Sequence, residues 1–339
     1  MDAESARPRA LASALGPELA ALLADPSLTE LAVNPDGAVW SERLGAGAAR
    51  EPLTLAPRQT EAILAHAAGE AGATLHDERP LFEGRLPGSP LRIAGAIPPA
   101  SPEGPLLAIR KPPATAWPLG AYFAAPRGAA VGRGAAPPPR RGLLATLEWA
   151  LAERRNIVVS GGTSTAKTSL LAAALERLAG RGAGGRLVLL EEGHPELALP
   201  AGLNAARLVT APQAVPPVGL AELVRLALRL NPDRIVVGES RGGEALPLLR
   251  SWATGHDGGL TSVHASTAED TLHRLEDLLS EAGLAAPRPL VARTVHLVVH
   301  LRYFHPGERV VTEVLRVEGL DERHRYRLAT VEPEEGSTR

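Results

Sequence analysis

The sequence contains no cysteine. Disulfides, thiolate nucleophiles and cysteine-ligated zinc are therefore excluded, and the lack fits a cytosolic protein. Aromatic residues are scarce, at 3% of 339 residues, so any core must rest on Leu, Val, Ile and Ala. Net charge is nearly absent: 36 Lys and Arg stand against 38 Asp and Glu. That balance gives no global pull toward nucleic acid or an anionic membrane. No apolar run reaches the ~20 residues of a bilayer span, so any membrane association is expected to be peripheral. The start, Met1-Asp2-Ala3-Glu4-Ser5, is acidic and lacks a basic stretch before an apolar one; no signal peptide is expected.

Glycine and proline are plentiful but unevenly spread. Residues 124–142 (AAPRGAAVGRGAAPPPRRG) hold almost no large apolar side chain. Such a stretch buries little surface and reads as a linker. It sets the expected organisation: an N-terminal α/β domain over 1–122, a Pro/Gly/Arg-rich linker over 123–142, and a second domain over 143–339. In the first domain, Pro17 opens a helical stretch to Leu23. Asn34-Pro35-Asp36-Gly37 then separates two apolar runs as a turn would. A helix is expected from Pro57 to about Ala71, and short strands near 91–97 and 106–109.

After the linker, strands and helices alternate. Ile157-Val158-Val159 is a β-branched run ending in glycines. A helix follows from Ser169 to Leu178, a strand from Arg186 to Leu190, a helix from Leu220 to Leu230, and a strand from Arg234 to Val237. Alternation of this kind predicts a parallel sheet, whose ligands bind at the carboxyl ends of its strands.

One such strand end carries Gly161-Gly162-Thr163-Ser164-Thr165-Ala166-Lys167-Thr168, followed by Ser169. The spacing is that of a phosphate-binding loop, G-x-x-x-x-G-K-[ST], between a strand and a helix. Backbone N–H groups and a helix N-terminus face phosphate oxygens in that arrangement. Lys167 is expected to reach the β- and γ-phosphates of ATP, and Thr168 to place its hydroxyl on Mg2+. Ala166 stands where the pattern has glycine. An ordinary glycine-rich turn is the competing explanation of the motif alone.

Further segments support a nucleotide site. Glu239 ends the apolar strand Ile235-Val236-Val237, where an acidic group serving Mg2+, usually through water, belongs; Asp233, beside Pro232, reads as a turn residue. The acidic group Glu191, Glu192 and Glu196 follows another strand, either to orient an attacking water or as a charged loop. His256 and His264 flank a Gly-rich stretch. Eight apart with no third ligand, they make a poor metal pair, but either could donate to a γ-phosphate.

The run PDRIVVGESRGGEALPLLRSWATGHDGGLTSVHA, with its upstream loop, resembles the type II/IV secretion ATPase superfamily, and within it the TrbB-type conjugal transfer ATPases. ALGPELAALLADPSLTELAVNPDGAVW, LRIAGAIPPASPEGPLLAIRKP, LHRLEDLLSEAG, TVHLVVHL and LRVEGL extend the resemblance over most of the chain. It implies a PAS-like α/β N-terminal domain, a RecA-like P-loop C-terminal domain, and ATP hydrolysis with Mg2+. It also implies a homohexamer on the cytoplasmic face of the inner membrane, working with secretion or conjugation channel proteins.

Residue by residue, the resemblance implies Lys167 and Thr168 as phosphate and Mg2+ ligands and Glu239 as the Walker B acid. It makes Glu192 and Glu196 the ends of an acidic box, and His256 and His264 the His box. Arg92 and Arg110 become N-terminal-domain arginines that reach the nucleotide, and Arg229 and Arg241 neutralise transition-state charge. The chain departs from the family at Ser164 and Ala166, which replace two loop glycines, and at Gly193 and His194 inside the acidic box. Tyr122 to Gly142 is also richer in Pro and Gly. These departures keep open a second reading, a catalytically weakened nucleotide-binding ring scaffold. Direct nucleic-acid binding is not indicated.

Overall fold

The structure is a computed structural model that describes residues 3–43, 46–86, 89, 91–111, 118–123, 141–181, 185–304 and 308–331. Apart from its ends, the stretch read as a linker lies outside the described residues. The chain divides into two compact units, 1–115 with 305–308 and 116–304 with 309–339; the sequence alone ends the first domain at 122. Leu119, Tyr122 and Phe123 are buried in the core of the second unit, with Leu143, Leu147 and Leu170.

The first unit has helices α1 (Ala3–Ala24) and α2 (Pro57–Glu70). Its strands are β1 (Leu28–Val33), β2 (Ala38–Arg43), β3 (Gly47–Thr54), β4 (Leu81–Arg85), β5 (Arg92–Ala96) and β6 (Leu106–Arg110). They form one sheet in the order β3-β2-β1-β6-β5-β4, with antiparallel pairing at every step. The β1–β2 reversal is the expected turn: Gly37 has φ 80 and donates to Asn34 O at 2.8 Å. The α2 residues Ile63, Leu64, Ala67 and Ala68 share one helical face and are buried with Leu31, Val33, Ile93, Leu107 and Ile109.

The second unit has helices α3 (Arg141–Ala152), α4 (Lys167–Gly180), α5 (Leu220–Ala227), α6 (Ala245–Trp252), α7 (Ala268–Glu281) and α8 (Arg288–Thr294). Its strands are β7 (Ile157–Gly161), β8 (Leu187–Glu191), β9 (Ala205–Val209), β10 (Arg234–Val237), β11 (Leu260–His264), β12 (Leu297–Phe304), β13 (Glu308–Leu320) and β14 (Tyr326–Thr330). The sheet order is β14-β13-β12-β7-β11-β10-β8-β9. From β12 to β9 every pairing is parallel. Successive side chains of a strand point to opposite faces. Ile157 and Val159 accordingly enter one core, with α4 residues Leu170, Leu171 and Leu175, while Val158 enters the other, with Leu248 and Leu272. Burial on both faces is why these strands read as unbroken apolar runs. β7 and β10 are separated by β11, so the glycine-rich loop and Glu239 leave the same sheet edge one strand apart.

Candidate functional site

The loop after β7 is held in a strained form. Gly161 has φ 153, and a Cβ there would lie 2.5 Å from Thr165 Oγ1 and 2.6 Å from Leu301 O. Only glycine fits. Ser164 has φ 59 and Ala166 has φ 71 with ψ 31. Both are L-residues in left-handed backbone, at about 1–2 kcal/mol each. Thr165 Oγ1 donates to Gly162 O at 2.9 Å. Lys167, 7% exposed, folds back onto the loop and donates to Gly161 O at 3.1 Å and Gly162 O at 2.8 Å. Arg309 Nε donates to Ser164 O at 2.8 Å. The loop ends at the N-terminus of α4, whose N–H groups and dipole favour anions.

From Lys167 a chain of polar contacts crosses the strand ends. Its Nζ lies 3.2 Å from Nδ1 of His264. An ammonium only donates, so Nδ1 accepts and the ring proton of a neutral imidazole sits on Nε2. That nitrogen is 2.8 Å from Glu239 Oε1. Arg241 Nη2 donates to Glu239 Oε2 at 2.6 Å, and this bond pushes the guanidinium pKa above its ordinary value. Arg241 is positioned in turn by Glu244, whose Oε1 accepts the backbone N–H groups of Arg241 and Gly242 at 2.6 and 2.9 Å. Glu192, 61% exposed, ends the chain 3.9 Å from Arg241 Nη1. A cleft of about 430 Å3 opens beside this chain, lined by Gly162, Thr163, Thr165, His264, Arg302 and Tyr303 among others.

The structure thus brings together Lys167, His264, Glu239, Arg241 and Glu192, and places Thr168 and Ser169 in the first turn of α4. Two other expected residues lie elsewhere. His256 precedes β11 and Arg229 precedes β10, whereas the loop follows β7. In parallel strands that puts both residues at the opposite edge of the sheet from Lys167. Glu196 is exposed. The buried acid of its segment is Glu191, whose Oε1 accepts the N–H groups of Glu196 and Leu197 at 2.6 and 2.8 Å and whose Oε2 lies 3.0 Å from Arg207. Arg92 and Arg110 belong to the first unit, where they face each other across β5 and β6.

The matching relatives point to one family. Residues 139–308 match the family described as "Type II/IV secretion system protein". The "Conjugal transfer protein TrbB" of Rhizobium radiobacter is 34% identical over 316 residues, covering 93% of this chain and 92% of the relative. The chain belongs to the type II/IV secretion protein family. "Type IV secretion system protein PtlH" of Bordetella pertussis is 33% identical over 261 residues, covering 73% of this chain and 76% of that one. The X-ray structure of the Legionella pneumophila ATPase DotB shares the fold, with a TM-score of 0.59 at 20% identity over 91% of this chain and 80% of that chain.

The segment matching the secretion family contains the glycine-rich loop, Glu192, Glu239, Arg241 and His264. Arg309 lies just beyond it. Sequence reasoning missed Arg309, because a lone arginine outside any motif gives no signal. It also missed His300, a buried residue whose Nδ1 lies 3.0 Å from Ser160 Oγ and whose pKa burial pushes below the ordinary imidazole value. Asn156 was missed too. Its Oδ1 accepts the N–H groups of Gly258 and Gly259 at 2.8 and 3.0 Å, and its Nδ2 donates to Thr294 O at 2.8 Å and Asp257 Oδ1 at 3.1 Å.

Proposed function

We propose that this chain is a Mg2+-dependent ATPase that works as a ring of six copies and powers conjugal transfer, or a related type IV secretion or pilus-assembly machine. The observation that carries this reading is the convergence of Lys167, His264 and Glu239 at the carboxyl edge of a parallel sheet, beside the N-terminus of α4. Taking the second unit as RecA-like is supported by its strand order, with the loop strand β7 and the acidic strand β10 one strand apart. Taking the first unit as PAS-like is supported by its antiparallel sheet and two helices. The ring, its channel partners and its place on the inner face of the membrane are what the family resemblance implies, and the relatives' names, in conjugal transfer and type IV secretion, accord with that setting. Among the described residues no helix is long and apolar enough to cross a membrane.

The residues fit Mg2+ carried by a nucleotide. Thr168 and Glu239 offer the oxygen donors this ion prefers. Among the described residues no group of three His, Cys, Asp or Glu side chains could hold a metal ion. The ion would be held by Thr168 directly, by Glu239 through water, and by phosphate oxygens. When bound, Mg2+ neutralises charge on the β- and γ-phosphates.

Lys167 leaves the carbonyls of Gly161 and Gly162 and takes the phosphates as acceptors. The loop N–H groups and α4 hold the remaining oxygens. Glu239, fixed by Arg241 and facing His264, orients a water molecule toward the γ-phosphorus. As the new P–O bond forms, the bond from the γ-phosphorus to the β–γ bridging oxygen breaks and the water's proton passes to an oxygen of the departing phosphate, leaving ADP and phosphate. Arg241 and Lys167 stabilise the charge that develops. Arg92 and Arg110 retain, as a proposal, the phosphate contact that the resemblance implies. Arg229 and His256, at the opposite edge of the sheet, take no part within a single chain, while Glu196 retains, as a proposal, the acidic-box role that the resemblance implies.

The test is Mg2+-dependent ATP hydrolysis by the intact protein beside Lys167→Ala. A loss of at least about a hundredfold in the variant is expected. Equal turnover in both proteins would overturn the reading. Ser164 and Ala166 in left-handed backbone favour the second reading, a weakened ring scaffold. That reading predicts nucleotide binding without turnover in the wild type, and a gain of turnover in Ala166→Gly.

A further inference from the structure

The phosphate-binding loop of this chain has a mechanical problem. Left-handed backbone at Ser164 and Ala166 is imposed on side chains that resist it, so other residues must hold the loop. Three side chains donate to its carbonyls: Thr165 to Gly162, Lys167 to Gly161 and Gly162, and Arg309 to Ser164. Lys167 has to release at least one of its partners to take up a phosphate. Arg309 has no such conflict. A carbonyl oxygen repels a phosphate oxygen, so the Ser164 carbonyl must point away from a bound nucleotide, and Arg309 holds it from that side.

Arg309 is built for that task. It is only 8% exposed, and its guanidinium lies 5.1 Å from the centroid of the Tyr303 ring. Tyr303 belongs to β12 and Arg309 to β13, neighbours in the sheet. β12 also supports the loop from below. Leu301 O is one of the atoms that a Cβ on Gly161 would strike, and His300 meets Ser160 beneath the last residue of β7. The flat Arg309 side chain, fixed against an aromatic ring, loses little rotamer freedom on making its hydrogen bond.

The geometry points to Arg309 as a positioning residue for nucleotide binding: it fixes the Ser164 carbonyl outward and so keeps the loop N–H groups aimed at the phosphates, offsetting the loss of two loop glycines. Its effect on nucleotide rests on the ATPase reading above, but the brace itself is visible without nucleotide.

The experiment combines Arg309→Ala and Arg309→Lys with Ser164→Gly in the intact protein. Two quantities are read: affinity for ADP with Mg2+, and hydrogen exchange of the backbone amides from Gly161 to Thr168 without nucleotide. Thermal unfolding of each variant checks that the fold is kept. Arg309→Ala is expected to speed loop exchange and weaken ADP binding by about tenfold, the size of one lost hydrogen bond to a charged group. In a Ser164→Gly background, where the strain at position 164 is relieved, the same substitution should cost only about twofold to threefold in affinity. Arg309→Lys keeps the charge but loses the planar Nε donor, so it should behave like the alanine variant.

Full affinity in Arg309→Lys would reduce the role to long-range charge and overturn the proposal. Equal losses with Ser164 and with Gly at that position would remove the link to loop strain and also overturn it. Loop exchange unaltered by Arg309→Ala would show that no brace exists. If the wild type binds no nucleotide, the ATPase reading fails and the nucleotide role of Arg309 falls with it, while the exchange data still decide whether the brace is real.

Discussion

Lys167 and His264, 97 positions apart in sequence, meet with Nζ 3.2 Å from Nδ1. The lysine's three N–H donors face this histidine and two loop carbonyls, so it takes up a phosphate by giving up at least one of them. The histidine's other nitrogen faces Glu239. His264 therefore links the group that binds phosphate to the group that orients water.

Replacing His264 by alanine separates those two roles. ATP affinity should stay within about threefold of wild type, because a competitor for Lys167 is removed along with one contact. Turnover should fall about a hundredfold, the usual cost of losing one polar group at the reacting centre. Nucleotide titration and steady-state hydrolysis read the two effects. Parallel loss of both would show that His264 acts chiefly in binding.

Ala166→Gly should raise stability by about 1 kcal/mol. Left-handed backbone costs an L-residue about 1–2 kcal/mol, and part of that gain is lost to the greater freedom of glycine in the unfolded chain. Urea unfolding measures it. A drop of similar size, as expected for glycine in ordinary helical backbone, would contradict φ 71 at this position.

Asn156→Ala should cost about 3 kcal/mol in unfolding free energy. Two buried N–H groups, on Gly258 and Gly259, lose their acceptor, and each unsatisfied group costs about 1–3 kcal/mol. Asn156→Asp should be worse than Asn156→Ala, because the new oxygen would face Thr294 O and Asp257 Oδ1. A cost below about 1 kcal/mol would mean that the loop re-satisfies itself.

These residues also mark how far the sequence could be read. Local signals carried the alternating strands, the loop at Gly161–Thr168 and the acid at the end of β10, because each is a short segment with its own chemistry. Asn156 and Arg309 act on partners 102 and 145 positions away, and no local pattern announces such a contact. Arg229 and His256 show a second limit. They sit near Glu239 and His264 in sequence, but a strand lies between. At about 3.3 Å per residue, four or five residues carry the chain from one edge of the sheet to the other. Glu191 shows a third: among three glutamates in six residues, only packing reveals which is buried against Arg207.

Stability should fall on the acid side through two histidines. His296 and His300 both have pKa values pushed below the ordinary imidazole value, chiefly by burial. The unfolded chain, with histidines near 6.5, binds protons first as pH drops. Their contribution is therefore intact above about pH 6.5 and is lost progressively below it. The melting temperature should decline between pH 7 and pH 5, before most carboxylates titrate. A His296→Gln/His300→Gln double variant should show a shallower decline in that window, whatever its absolute melting temperature. An unchanged slope would assign the acid sensitivity to other groups.

The central claim is that Glu239 serves the chemistry while Lys167 and the loop bind the nucleotide. The most direct measurement is ATP binding and ATP turnover in Glu239→Gln, on one preparation with Mg2+. The account predicts affinity within about threefold of wild type and turnover reduced by at least about a hundredfold. Wild-type turnover in Glu239→Gln would contradict it, and so would an ATP affinity that falls as far as the turnover does.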